Sequence, residues 1–219
     1  MQKKYRYILL DLDGTLIYSH PGIYSCIRYA LESLGEKEPT DSQLRKCIGP
    51  SLMYSFTKTF GLSEERATLA TAKYREKYSV TGVYENEPME DVLEGLKALK
   101  NAGYRLAMAT SKPKFYADII ADRWGFSEFL SVQVGSGLDG SFPTKSSVIA
   151  EVMRQFGASA DECLMVGDRF HDNEGAVENG MDCALLRVGY AEEGEIEAVA
   201  PTYAFDGFAD LTDFLLSIA

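Results

Sequence analysis

The chain has 219 residues, 46% apolar and 25% charged, so it is long enough to bury a sizeable core without disulfides. Its formal net charge of −11 excludes broad, non-specific binding to nucleic acid polymers, which requires a cationic surface to displace counterions. No stretch approaches the ~18 apolar residues that span a membrane, and the short apolar run after the basic start ends in acids, unlike a signal peptide, so no membrane partner and a cytoplasmic location are expected.

Tyr7 to Leu12 opens with a continuous apolar run at Ile8, Leu9 and Leu10, the pattern of a strand buried on both faces. From Pro21 to Leu34, apolar residues at Ile23, Ile27, Ala30, Leu31 and Leu34 mark one face of a helix, with Gly35 past its end. Thr40 and Gln43 have the form of a capping box and open a short helix ending near Gly49-Pro50. Ser51 to Phe60 reads as a third helix, stopped by Gly61, and Ser63 caps a fourth that runs to about Tyr78. Most of Tyr18, Ile23, Tyr24, Met53, Tyr54 and Phe56 are expected to pack inside this helical stretch.

After Pro88 the pattern alternates. Helix 89–101, strand 104–109, helix 113–124, strand 130–134, helix 144–156, strand 162–166, helix 173–179 and strand 182–188 follow in turn, closed by a weak strand 202–205 and a helix 208–218. Strands alternating with helices imply an α/β fold, a Rossmann-like doubly wound parallel sheet covered on both faces. The core is expected at 1–16 and 83–219, with an all-helical, four-helix segment at 17–82 inserted after the first strand. The cysteines Cys26, Cys47, Cys163 and Cys183 form no C-x-x-C pair, and Cys163 and Cys183 read as small buried residues.

In an open parallel sheet, ligands bind beyond the carboxyl ends of the strands. Asp11-Leu12-Asp13-Gly14-Thr15 follows the first strand and Thr110-Ser111-Lys112 the second. Lys145 opens the helix after the third, and Gly167-Asp168-Arg169-Phe170-His171-Asp172 follows the fourth. Side chains at i and i+2 of an extended segment point the same way, so Asp11 and Asp13 would face one site; a solvated Asp-Gly turn has the same sequence. Asp168 and Asp172 suit either a loop and helix cap or, with Asp11 and Asp13, the hard oxygen ligands Mg²⁺ prefers. Such a site is oxygen-rich, so His171 is expected to be exposed or packed rather than a ligand.

Thr110 and Ser111 before Pro113 suit a first helical turn, where hydroxyls and free N–H groups hold a phosphate or simply cap the helix. Lys145 is either a solvated lysine or the cation that neutralises phosphoryl oxygens. Together these pieces make one mechanism. Asp11 attacks phosphorus, and Asp13 protonates the leaving oxygen and then activates water, with Mg²⁺ and Lys145 screening the charge.

The same residues resemble the motifs of the haloacid dehalogenase superfamily of phosphotransferases, over nearly the whole chain. The resemblance implies Asp11 as nucleophile, Asp13 as acid/base, Thr110 and Ser111 as phosphate-binding residues, and Lys145 as the third motif. It further implies Mg²⁺ held by Asp11, the Asp13 carbonyl and Asp168, with Asp172 behind them. The inserted helices are similar to the cap of one branch, in which the Ile48-Gly49-Pro50 loop, and so Gly49, reaches toward the substrate. Gly135-Ser136-Gly137-Leu138-Asp139-Gly140 and the stretch from Gly167 to Asp172 look like the phosphoglycolate phosphatase and 5′-nucleotidase-like group. Arg169 stands where Ser or Thr is common, either touching the metal shell or exposed to solvent. Asp13 argues against the dehalogenase branch, which has no leaving oxygen to protonate.

The function expected is therefore a Mg²⁺-dependent phosphatase acting on a small phosphorylated metabolite, most simply a 5′-nucleotidase-like enzyme. Phosphoglycolate hydrolysis and a sugar-phosphate mutase are alternatives. A non-catalytic phospho-ligand binding protein on the same fold would have lost the nucleophile or its acid partner, and this chain keeps both.

Overall fold

A computed structural model describes residues 4–219 and divides them into two compact units, residues 4–17 with Pro88–Ala219, and Tyr18–Glu87. The first unit is the sheet core. Strand β1 (Tyr7–Leu10) is buried along its whole length, as its unbroken apolar run requires. The chain then forms β2 (Ile17–Tyr18), the helical unit and β3 (Glu87–Pro88), with β2 and β3 pairing in a two-stranded sheet.

Beyond that come α5 (Val92–Asn101), β4 (Arg105–Pro113), α6 (Lys114–Arg123), β5 (Leu130–Ser136), α7 (Lys145–Phe156) and β6 (Cys163–Gly167), with the helical unit holding α1 to α4. The chain closes with α8 (Phe170–Glu178), β7 (Asp182–Leu186), α9 (Glu195–Val199), β8 (Tyr203–Phe205) and α10 (Phe208–Ser217). Six strands form one sheet in the order β5-β4-β1-β6-β7-β8, every neighbouring pair parallel. The chain winds outward from β1 through β4 and β5, then returns to β6 on the other side. The strand order therefore reverses at β1, and the crevice beyond the carboxyl ends of β1, β4 and β6 is where this topology places a ligand.

One side of the sheet, carrying Leu9, Ala107, Val134, Met165, Cys183 and Leu185, packs on Val148, Ile149 and Val152 of α7. Thr144 caps α7 by accepting the Ser147 N–H (3.2 Å), and Gly157 ends it at a φ of +62°. These caps fix the first residue of α7, Lys145, beside the strand ends. Among the described residues, no helix is long and apolar enough to cross a membrane.

The helical unit contains α1 (His20–Ser33), α2 (Asp41–Arg45), α3 (Leu52–Tyr54) and α4 (Glu64–Tyr78). The Thr40–Gln43 capping box forms, and Ser63 caps α4 through the Arg66 N–H (3.3 Å), with Glu64 and Glu65 in the first turn. Ile23, Cys26, Ile27, Ala30 and Leu31 of α1 and Ala67, Ala70, Tyr74 and Tyr78 of α4 are buried, and α1 packs on α4. Of the side chains expected inside, Ile23 and Phe56 are buried and Tyr18 and Tyr24 half-buried, whereas Met53 and Tyr54 are exposed.

Three expectations are corrected. The helix expected at 51–60 is α-helical for one turn only and continues as a π-helix, Ser55–Thr59. There the Thr57 hydroxyl bonds the Met53 carbonyl (2.7 Å) and competes with the backbone ladder. The helical unit extends to Glu87 rather than 82, because residues Gly82–Tyr84 form a 3₁₀ turn packed on α1. Finally, β4 runs on through Pro113 instead of ending at 109. Pro113 pairs with Ser136 after a register shift, and the Ser136 hydroxyl donates to the Ser111 carbonyl (2.8 Å). Thr110 and Ser111 thus lie within the last part of a strand rather than at the start of a helix.

Candidate active site

Asp11 is the first residue past β1. Its N–H still bonds the Val166 carbonyl of β6 (2.9 Å), which carries its side chain beyond the sheet edge. Lys145 meets it there from α7. The ammonium donates to the Ala109 carbonyl in β4 (3.0 Å) and stands 2.8 Å from Asp11 Oδ1 and 2.8 Å from Asp172 Oδ1. Neither carboxylate contact has hydrogen-bond alignment, so both oxygens keep lone pairs open to another partner.

Asp172 Oδ2 accepts the backbone N–H groups of Asp168 and Arg169, each at 3.1 Å, which closes the start of α8 against the end of β6. Asp168 Oδ2 accepts the Tyr190 N–H (2.6 Å), while its Oδ1 is buried without a hydrogen-bond partner. Gly14 makes room for this carboxylate. Its φ is +80°, and a Cβ there would lie 2.1 Å from Asp168 Oδ2.

Carboxylate oxygens of Asp11, Asp168 and Asp172 lie within 4.8 Å of one another, all in buried residues. Burial pushes the Asp11 carboxyl up to about 6 even though Lys145 pulls it down, with Asp172 and Asp13 adding to the rise. Burial, followed by the charges of Asp172 and Asp11, raises Asp168 well above the carboxylate range. For Lys145, burial opposes the charge, but Asp11 and Asp172 more than offset it and hold the lysine protonated. Two of the three carboxylates thus share one ammonium, and the third, Asp168, keeps a bare, buried oxygen. A dry cluster with surplus negative charge and oxygen-only donors fits a hard divalent cation such as Mg²⁺.

Asp13 is held separately. Lys112 reaches both its oxygens, at 2.8 and 2.9 Å, and the side chains are 6% and 15% exposed, so each of the paired acids has its own lysine. Thr110 is buried beside them, its hydroxyl accepting the Lys112 N–H (3.2 Å), and Ser111 is half-buried next in line. Gly49 lies in the helical unit, exposed, at a φ of +106°.

Arg169 is not solvent-exposed: it is 7% exposed and pairs with Glu195 (Nε to Oε1, 2.8 Å). His171 is half-buried against Phe170, ring centroids 3.7 Å apart, and burial lowers its pKa. The sequence places Lys112 at a strand end but assigns it no role, and Tyr190 and Glu195 are not singled out. Lys112 carried a signal, a cation directly after the two hydroxyls at a strand end. Tyr190 acts through its backbone and Glu195 lies 23 residues beyond Asp172 in sequence, so neither offers a local pattern.

The model of haloacid dehalogenase-like hydrolases matches residues 8–186. A 5′-nucleotidase of Pseudomonas aeruginosa is 40% identical over 214 residues, covering 98% of this chain and 97% of its own length. The tyrosine-protein kinase PtkA of Mycobacterium tuberculosis is 34% identical over 195 residues, covering 89% of this chain and 66% of its own. The crystal structure of a predicted phosphatase from Clostridium acetobutylicum superposes with a TM-score of 0.92 at 32% identity, covering 97% of this chain and 99% of that one. With this match added to the sheet order and the acids gathered at its switch point, the chain belongs to the haloacid dehalogenase-like hydrolases.

Proposed function

We propose that this phosphomonoester hydrolase is a Mg²⁺-dependent, 5′-nucleotidase-like phosphatase of small phosphorylated metabolites that works through an aspartyl-phosphate on Asp11. The observation that carries the reading is the buried Asp11–Lys145–Asp172 group beside the bare Oδ1 of Asp168. The 40% identity to a 5′-nucleotidase supports the substrate class.

Asp11, Asp168 and the main-chain carbonyl of Asp13 would hold the ion, supported by Asp172, and Mg²⁺ would supply the positive charge that lets an anionic carboxylate approach an anionic phosphate. Lys145, pinned by Ala109 and the two acids, shares that task from the α7 side and holds Asp11 in place. Thr110, Ser111 and Lys112 at the end of β4 receive the phosphoryl oxygens. Asp11 then attacks phosphorus as the ester P–O bond breaks, and Asp13 gives its proton to the departing alkoxide. In the second half a water attacks the aspartyl-phosphate, Asp13 takes its proton, and inorganic phosphate leaves with Asp11 restored.

The test is phosphate release from nucleoside 5′-monophosphates, phosphoglycolate and hexose phosphates, with Mg²⁺ or EDTA, for wild type and Asp11→Asn. The expected result is release that needs Mg²⁺, is fastest on nucleotides and vanishes in the variant. Preference for phosphoglycolate would change the substrate class, sugar isomerisation without phosphate release would indicate a mutase, and a folded protein inert on every substrate would overturn the reading. The likeness to a tyrosine kinase adds one arm, ATP with a tyrosine peptide. Phosphopeptide formed in place of phosphate would replace water by a protein hydroxyl as acceptor.

A further inference from the structure

Asp168 is gripped from two loops that are far apart in sequence. Its own loop, residues 168–169, joins β6 to α8, and the loop after β7 delivers the Tyr190 N–H to Asp168 Oδ2 at 2.6 Å. Gly189 lies so close that a Cβ there would meet Asp168 Cβ at 2.3 Å, so the second loop presses directly on the acid.

One carboxylate ties the two loops together. Glu195 Oε1 accepts the Arg169 Nε–H (2.8 Å) and the Phe170 N–H (2.9 Å), and Oε2 accepts the Glu192 N–H (3.1 Å). The pair is nearly dry, with side chains 8% and 11% exposed. Burial opposes the charge on Glu195, but the donors from Arg169, Phe170 and Glu192 outweigh it and keep its pKa low.

The path is closed. It runs from Asp168 through the backbone to Arg169 and Phe170, across to Glu195, back along its own loop to Tyr190, and by hydrogen bond to Asp168. We infer that Glu195, through Arg169 and Phe170, is a positioning residue for the metal site, holding Asp168 so that its bare Oδ1 faces Asp11 and Asp172. This rests on the reading of Asp168 as a metal ligand. A ligand whose orientation is fixed in advance loses little freedom when the cation binds, and removing such outer supports typically weakens a metal site by about 10- to 100-fold. It also explains why an arginine, rather than a small hydroxyl residue, follows Asp168. Arg169 is paired with Glu195, and although its charge still acts on Asp168, its geometry makes it a fastener between the two loops.

The experiment is Mg²⁺ binding to metal-stripped protein without substrate, by titration calorimetry, for wild type, Glu195→Gln, Glu195→Ala and the double variant Arg169→Gln/Glu195→Gln. Asp168→Asn is the non-binding control, and the melting temperature of each metal-free protein is taken alongside. Both single variants are expected to bind Mg²⁺ roughly 10-fold or more weakly, the double variant no more weakly than Glu195→Gln, and substrate KM at saturating Mg²⁺ to stay as in wild type. Glu195→Gln keeps the shape of the side chain and reports even where the alanine variant unfolds. Folded variants that melt lower yet bind Mg²⁺ as wild type does would reduce Glu195 to a structural pair and overturn the inference. A wild type that binds no Mg²⁺ would instead overturn the reading of the site beneath it.

Discussion

The two units bury different things. Among the described residues, every buried charged side chain, Asp11, Lys112, Lys145, Asp168, Arg169 and Asp172, belongs to the sheet core, whereas the helical unit buries no charge, and the small polar residues it buries are Ser19, Ser55 and Thr71. The helical unit keeps its charges in exposed or half-exposed pairs such as Arg28–Asp41 and Lys73–Glu76, and fills its interior with apolar and aromatic groups, including Tyr74 stacked on Tyr78. Buried charge costs stability unless it is paired, so a fold keeps it where it serves a purpose. The contrast separates a region built for chemistry from one built by packing.

The sharpest way to break that contrast is Asp11→Asn. Activity is expected to fall by on the order of 10⁴-fold or more, the scale of losing a nucleophile, while the metal-free fold gains relative to wild type as pH rises. The sign follows from the pKa. The folded Asp11 sits near 6, above its ordinary 3.8, so between those values the native state holds a proton that the unfolded chain has lost. Wild type therefore loses stability as pH climbs through this window, and the asparagine variant escapes that loss. Melting curves of both metal-free proteins between pH 4 and 7 check it; a difference that does not change with pH would show that Asp11 is ionised normally in the fold.

Asp13→Asn comes next. General acid–base groups contribute about 10²- to 10⁴-fold, so hydrolysis of an alkyl phosphate is expected to drop by that order. Hydrolysis of p-nitrophenyl phosphate, whose leaving group needs no proton, should fall far less in its first half-reaction. Equal losses on both substrates in single-turnover burst measurements would remove Asp13 from the proton-transfer role. The smallest effect on chemistry belongs to the other unit. Phe56→Ala, at a fully buried position, should cost roughly 3–5 kcal/mol of stability and leave Mg²⁺ affinity within error of wild type. A change in Mg²⁺ affinity there would dissolve the contrast between the regions.

Much of this was legible in the sequence because it is local. An apolar run ending in Asp11-Leu12-Asp13-Gly14 marks a buried strand that delivers acids to a sheet edge, and the alternation after Pro88 fixes the winding of the sheet. The caps at Thr40 and Ser63 are contacts across three residues and were readable as such, whereas Thr144, expected inside its helix, caps it. What stayed hidden depends on tertiary contact. The extension of β4 past its expected end is set by pairing with β5, and the π-turn at Ser55 follows from a hydroxyl competing for a carbonyl. The partner of Lys112 depends on where a long, flexible stem meets Asp13, 99 residues away in sequence, and the Arg169–Glu195 bond closes over 26.

The way Lys145 is held carries one further consequence. Its nitrogen is a single point within 3.0 Å of three fixed oxygens on three different elements. A guanidinium spreads its donors across a plane and cannot converge them on one such point, so arginine would conserve the charge and lose the junction. Every shorter or neutral side chain would leave carboxylates facing one another in the dry interior. Of the twenty-letter alphabet the position admits one letter, and in a saturation library this codon should read as all or nothing.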